Sequence, residues 1–190
     1  MTSSPPSCRL LLISGSLRAG STNTAALRTA AAVAPRGTTA PLYEGLDRLP
    51  HYNPDHDTEP LDPAVAQLRA EVAQADALVV SVPEYAGALP GSFKNLLDWL
   101  VGSTHTAGTP VAWINVSTAP TAAASAHASL RTVLGWIGVE IVDAACRHIP
   151  VPRSAIDPDG TITDAPVRAE IAAAIETLVE QLAERSVAMP

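Results

Sequence analysis

Lysine is nearly absent from this sequence: Lys94 is the only one, so eleven of the twelve basic residues are arginines. The formal net charge is −7 and the basic residues form no cluster. Tracking a phosphate backbone takes several grouped cations, so nucleic acid is not expected as a partner. Any anionic ligand must be met by arginine, backbone amides or hydroxyls. Long apolar runs are missing as well. The chain is 47% hydrophobic and 16% charged, yet no stretch approaches the roughly 18 to 20 residues that span a bilayer, which predicts a soluble protein without a membrane partner. Residues 1–7 lack the basic start and long apolar stretch of a secretory signal, and read as a flexible N-terminal tail on a cytoplasmic protein. Cysteine is scarce too: Cys8 and Cys146 lie far apart in expected strands and read as free core thiols, not as a disulfide or redox pair.

What is present is an alternation. Short apolar runs at Arg9 to Ser14, Ala77 to Val82, Pro110 to Ser117 and Val139 to Ala144, with a weaker one at Thr38 to Tyr43, are separated by segments of helical spacing. Helices are expected over Asn23 to Ala34, Asp62 to Ala75, Gly91 to Val101, Ala122 to Ile137 and Ala165 to Arg185. Strands alternating with helices predict βαβ units, and near-continuous apolar strands such as "ALVVSV" and "VAWINV" predict burial on both faces. The expectation is an α/β three-layer sandwich, a parallel five-stranded sheet of order 2-1-3-4-5, in a single domain over 8–190. Ligands of such sheets lie at the carboxyl ends of the strands, near the switch point between the first and third.

The first strand runs into "GSLRAGSTN", where Ser16, Ser21, Thr22, Asn23 and Thr24 crowd hydroxyl and amide groups at a helix start and Arg18 adds a full positive charge. Helix-terminal amides and the helix dipole favour an anion there, most commonly phosphate. Gly15 and Gly20 have the spacing of a nucleotide phosphate loop, but the required lysine is replaced by Ser21. No G-x-G-x-x-G dinucleotide fingerprint is present either. A single terminal phosphate is the economical ligand. The third strand ends in "VPEYAGALPGSFKNLLDWL", where Pro83 and Pro90 stiffen the loop, Gly87 and Gly91 permit tight turning, and Tyr85 offers an aromatic edge. This suits a flat ring against backbone. Phe93, Leu96, Leu97 and Leu100 read as a buried helix face, with a subunit contact as the rival.

"GSLRAGSTN" at 15–23 and "PEYAGALPGSFKNLLDW" at 83–99, in that order and with "LPHYNPD" between them, closely match GSLRxGSxN, PEYNxSxPGxLKNxIDW and LPLYNxD. On these motifs the chain resembles the NADPH-dependent FMN reductase family, whose flavodoxin-like members include quinone, azo-dye and chromate reductases. The resemblance implies an enzyme with bound FMN and NADPH or NADH as co-substrate. Hydride would pass through flavin N5 to a quinone-like, azo, nitro or flavin acceptor in a ping-pong cycle, with no acid–base side chain. It implies phosphate and ribityl contacts from Ser16, Arg18, Ser21, Thr22, Asn23 and Thr24, a ring platform from Pro83, Glu84, Tyr85, Ala86 and Gly87, and Ser117 at the fourth strand's end. It further implies a homodimer or homotetramer with helix 91–101 at the contact, and a flavin-dependent monooxygenase as a further partner. Competing readings are a flavodoxin-like electron carrier and a pathway reductase with one dedicated substrate.

Two departures stand out. Ala86 replaces the family's asparagine, and the stretch from Ser117 in "STAPTAAAS" stands where the family has S-x-G-x-x-G-G-R, with Ala119, Ala122 and Ala123 for glycines. Alanine restricts positive φ and close approach, so flavin affinity or nicotinamide docking is expected to differ from the family norm. The acids and histidines of "HYNPDHD" match no metal-site spacing and read as a solvated loop. His127 and Arg131 read as surface or interface residues. No G-x-S-x-G hydrolase elbow is present.

Overall fold

The computed structural model describes residues 8–103 and 106–188, so the expected tail at 1–7 lies outside the described residues. The chain runs β1 (Cys8–Ser14), α1 (Thr22–Val33), β2 (Thr38–Thr39), α2 (Pro63–Ala73), β3 (Ala77–Ser81), α3 (Gly91–Val101), β4 (Pro110–Asn115), α4 (Ala124–Trp136), β5 (Glu140–Ile141), β6 (Arg147–His148) and α5 (Ala165–Ala188). All pairings between these strands are parallel, and the sheet has the expected order β2-β1-β3-β4-β5. β1 and β3 pair in register from Leu10↔Ala77 to Ser14↔Ser81. Alternate strand residues point to opposite faces. Leu11, Ile13, Val80 and Val111 pack under α2, α3 and α4, while Leu10, Leu12, Val79 and Ile114 pack under α1 and α5.

The edges depart from expectation. The strand expected over Thr38 to Tyr43 reduces to β2 and one bridge between Leu12 and Leu42. Pro41 has no N–H to give the ladder, although its carbonyl accepts from Leu12 N at 2.9 Å. The strand expected over Val139 to Ala144 is split: after β5 the chain makes a 3₁₀ turn at Asp143–Ala145, and β6 rejoins β4 at Ile114↔Arg147. Asp143 leaves the sheet's line to pair with Arg131 of α4 at 2.5 Å, while Val142 and Ala145 stay buried. Cys146 therefore follows a turn and is not in a strand. Both cysteines are free and half-buried, and burial pushes the Cys146 thiol up to about 11.

Phe93, Leu96, Leu97 and Leu100 of α3 are buried within this chain's own core, which leaves them no part in a subunit contact. The polar residues of the same helix hold the long loop after β2. Asn95 accepts from Tyr52 N at 2.7 Å and donates to Pro50 O at 2.9 Å, and Trp99 Nε1 donates to Pro50 O at 2.8 Å. Asp57, expected in a solvated loop, forms a largely buried ion pair with Arg69 at 2.8 Å. Arg69 also donates to Trp99 O.

Three alanines have positive φ: Ala86 at 51°, Ala122 at 49° and Ala123 at 51°. Tyr85 and Ala88 exchange backbone hydrogen bonds at 3.1 Å around Ala86 and Gly87, both at positive φ. This is the backbone of a type I′ turn, for which Asn-Gly is the favoured pair. Ala122 and Ala123 delay the start of α4 to Ala124, two residues later than expected. Alanine cannot cap that helix, and Glu84 does so from another loop, accepting from Ala126 N at 3.0 Å. Asn115 Nδ2 donates to Ala122 O at 2.7 Å and holds the strained turn.

His127 and Arg131 occupy one face of α4 but differ in environment. Arg131 is exposed, pairs with Asp143 and lies 5.0 Å from the Trp113 ring centroid. His127, expected to be a surface or interface residue, packs against Trp113 at 5.6 Å between centroids, with both ring nitrogens buried and unpartnered among the described residues. Desolvation, then repulsion from His148, pushes its pKa down to about 4, against attraction from Glu84.

Two outcomes follow from this backbone and packing. A left-handed alanine costs about 1–2 kcal/mol, against about 0.4–1 kcal/mol for the greater unfolded-state freedom of glycine, so Ala123→Gly should stabilise by up to about 1 kcal/mol. Ala86→Asn should stabilise in the same direction, each seen as a higher urea midpoint at unchanged slope. The unfolded chain takes up the His127 proton at higher pH than the folded one. Stability should therefore be intact above pH ~6.5 and fall as pH drops toward 4. His127→Gln should flatten that part of the pH profile, and an unchanged profile would exclude this cause.

Candidate functional site

The carboxyl ends of β1, β3 and β4 open on a cavity of about 390 Å³. Of the residues read from sequence, Arg18, Thr22, Asn23, Pro83, Glu84 and Ser117 line it. The other six sit beside it. Ser16 accepts from Arg18 N at 3.3 Å, Thr24 Oγ1 lies 2.8 Å from Ser14 Oγ, and Ser21 is buried at the helix start. Tyr85, Ala86 and Gly87 form the exposed turn already described.

The approach of β1's loop to β3 requires glycine at position 15, because a Cβ there would lie 2.7 Å from Val82 Cγ1. Beyond it the chain turns into α1, whose first amides have no intrahelical partner. Ser21 makes no side-chain cap and no acidic residue occupies the first turn. Arg18 has no ion-pair partner among the described residues. Amides, the Thr22 hydroxyl and a guanidinium form a donor set that fits a phosphate. Asn23 is held in place: its Oδ1 lies 2.9 Å from the hydroxyl of buried Ser81, which also reaches Ile114 O at 2.7 Å. Ser117 N donates to Asn115 Oδ1 at 3.0 Å, and His148 Nε2 lies 2.8 Å from Ser117 O.

Of the rest of the lining, sequence reasoning singles out only Ala119 and Ala123, as departures in the loop after the fourth strand. Val82 and Val116 add apolar surface, and Thr118, Ala119, Thr121 and Ala123 come from the loop after β4. Val151 and Arg153 come from the segment after β6. The threonine hydroxyls beside Ser117 were a usable signal, whereas Arg153 was hidden by placing the last strand at 139–144. Apolar Val82, Pro83 and Val116 beside a phosphate-type donor set suit a ligand with one flat apolar part and one anionic end, which fits FMN. The lining holds two guanidiniums and a single carboxylate, Glu84, already engaged as the cap of α4.

Comparison with known proteins places the chain in a family of flavin-dependent reductases. Residues 8–150 match the family model for NADPH-dependent FMN reductase. The chain is 32% identical over 172 residues to the NAD(P)H-dependent FMN reductase PA1204 of Pseudomonas aeruginosa, covering 90% of this chain and 92% of that protein. It is 30% identical over 164 residues to a 2-hydroxy-1,4-benzoquinone reductase of Burkholderia sp, covering 84% and 88%. The solved structure of FerB, a flavoenzyme NAD(P)H:(acceptor) oxidoreductase from Paracoccus denitrificans, superposes with a TM-score of 0.81 at 26% identity over 93% of this chain and 98% of that one. With the family match running from β1 through β6, the chain belongs to the NADPH-dependent FMN reductase family.

Proposed function

We propose that this protein is an FMN-dependent NAD(P)H oxidoreductase that reduces a quinone-like, azo, nitro or flavin acceptor by a ping-pong cycle. The observation that carries the reading is the junction, in one cavity, of an uncapped helix start with Arg18 and an apolar lining at the ends of β3 and β4. Relatives named as an FMN reductase and a benzoquinone reductase support the same class of chemistry. FMN, when bound there, would supply the redox chemistry that links the reduced nicotinamide to the acceptor.

The residues of the chain bind and orient. Arg18, Thr22 and the first amides of α1 hold the phosphate end, assisted by Asn23. Pro83, Glu84 and Ser117 bound the ring, and Tyr85, Ala86 and Gly87 form the rim over which acceptor and nicotinamide exchange. Ser16, Ser21 and Thr24 shape the phosphate loop. Among the described residues no helix is long and apolar enough to cross a membrane. The unit is one domain over 8–190, working as a homodimer or homotetramer.

The purified protein should bind FMN and oxidise NADPH or NADH with menadione as acceptor, giving parallel double-reciprocal plots. An FMN-loaded protein with no turnover would instead be an electron carrier. Arg18→Ala should weaken FMN binding by about tenfold or more, the cost of one charge-assisted hydrogen bond. Asn23→Ala should weaken it too, with thermal melting measured alongside because Asn23 also meets Ser81. Unchanged affinity in both variants would displace the phosphate from this loop.

A further inference from the structure

Arg153 reaches the cavity from a segment far along the chain from the phosphate loop. It opens the 3₁₀ turn Arg153–Ala155 that follows β6. Ile149 N donates to Asn115 O at 2.8 Å and Val151 N to Val116 O at 3.1 Å, so the chain keeps running beside the end of β4. Val116 and Val151 are buried in the apolar cluster that contains Ala25 and Ala26 of α1. This places the segment on α1's side of the sheet, where the amides at the start of that helix open. Pro150 and Pro152 flank Val151 and restrict the backbone from which Arg153 emerges.

The Arg153 side chain is exposed and makes no hydrogen bond or ion pair among the described residues, whereas Arg69, Arg131 and Arg185 pair with Asp57, Asp143 and Glu140. It shares one cavity with Arg18, Thr22 and Asn23. A phosphate monoester carries close to two negative charges at neutral pH. One guanidinium and a helix N-terminus worth roughly half a charge leave part of that uncompensated. A second guanidinium completes the balance, and its planar fork suits phosphate oxygens.

We infer that Arg153 is a second phosphate-binding residue for the flavin, joining Arg18 on the 5′-phosphate, an inference that rests on the FMN reading above. Its consequence is selectivity for phosphorylated flavin over riboflavin. The side chain is exposed and makes no hydrogen bond or ion pair among the described residues, so its removal should leave the fold intact.

The test is titration of the flavin-free protein with FMN and with riboflavin, followed by quenching of flavin fluorescence. Arg153→Ala should raise the Kd for FMN by about 10- to 100-fold while changing that for riboflavin by less than about twofold. Arg153→Lys should fall between, and the loss should shrink with added salt because the group is exposed. Unchanged FMN affinity, or an equal loss for both flavins, overturns the inference. A raised KM for NADPH with intact FMN affinity also overturns it, by moving Arg153 to the dinucleotide. Failure of the unsubstituted protein to bind FMN overturns the flavin reading itself.

Discussion

The parallel pairing of β3 with β1 on one side and β4 on the other is the constraint on which the site depends. Parallel neighbours end at the same edge of the sheet, so the three loops that follow Ser14, Ser81 and Asn115, far apart along the unfolded chain, open side by side. At that edge Ser81, fully buried, has its hydroxyl within reach of both Ile114 O and the Asn23 side chain. Gly15 N donates to Ser81 O at 2.8 Å just above it. The three elements are thus pinned by polar contacts where their apolar cores end. A buried polar cluster is stable only when its members are satisfied, and a shift of one strand would leave this one unpaired.

The centre of the sheet was legible because burial on both faces writes itself as uninterrupted apolar runs. The edges were not, because one or two residues decide them: Pro41 withholds a single N–H, and Asp143 leaves the strand for an arginine on a neighbouring helix. Neither event alters the apolar pattern enough to be read locally. The phosphate loop was legible through its residue types and its position before a helix. Arg153 was not, since it enters through a register that only the pairing of β6 with β4 creates. Asn95 and Trp99 belong to the motif shared with the family, yet in this chain they hold the long loop after β2, so membership in a motif did not disclose their role.

Backbone strain is gathered around the cleft. The non-glycine residues at positive φ, among those described, are Ala86, Ala122 and Ala123, in the loops that follow β3 and β4. Such conformations persist where surrounding bonds over-determine them. Asn115 grips the Ala122 carbonyl, and Glu84 caps the helix that Ala123 begins. The Glu84 contact also ties the two loops together, so the lining after β4 is referenced to the loop after β3. The alanine substitutions therefore change the energy of the cleft's backbone while leaving its path in the left-handed region that glycine would adopt.

The split of the last strand has a bearing on solubility. A sheet's open edge offers a row of unpaired amides and carbonyls to any other extended chain, and proteins protect themselves by keeping such edges short, bent or interrupted. Here one border is β2, two residues long beside Pro41, and the other is β5 and β6, two residues each on either side of a 3₁₀ turn. Neither offers a continuous ladder to an incoming strand. The same break that delivers Arg153 to the cleft thereby guards a sheet with a strongly apolar centre against edge-to-edge aggregation.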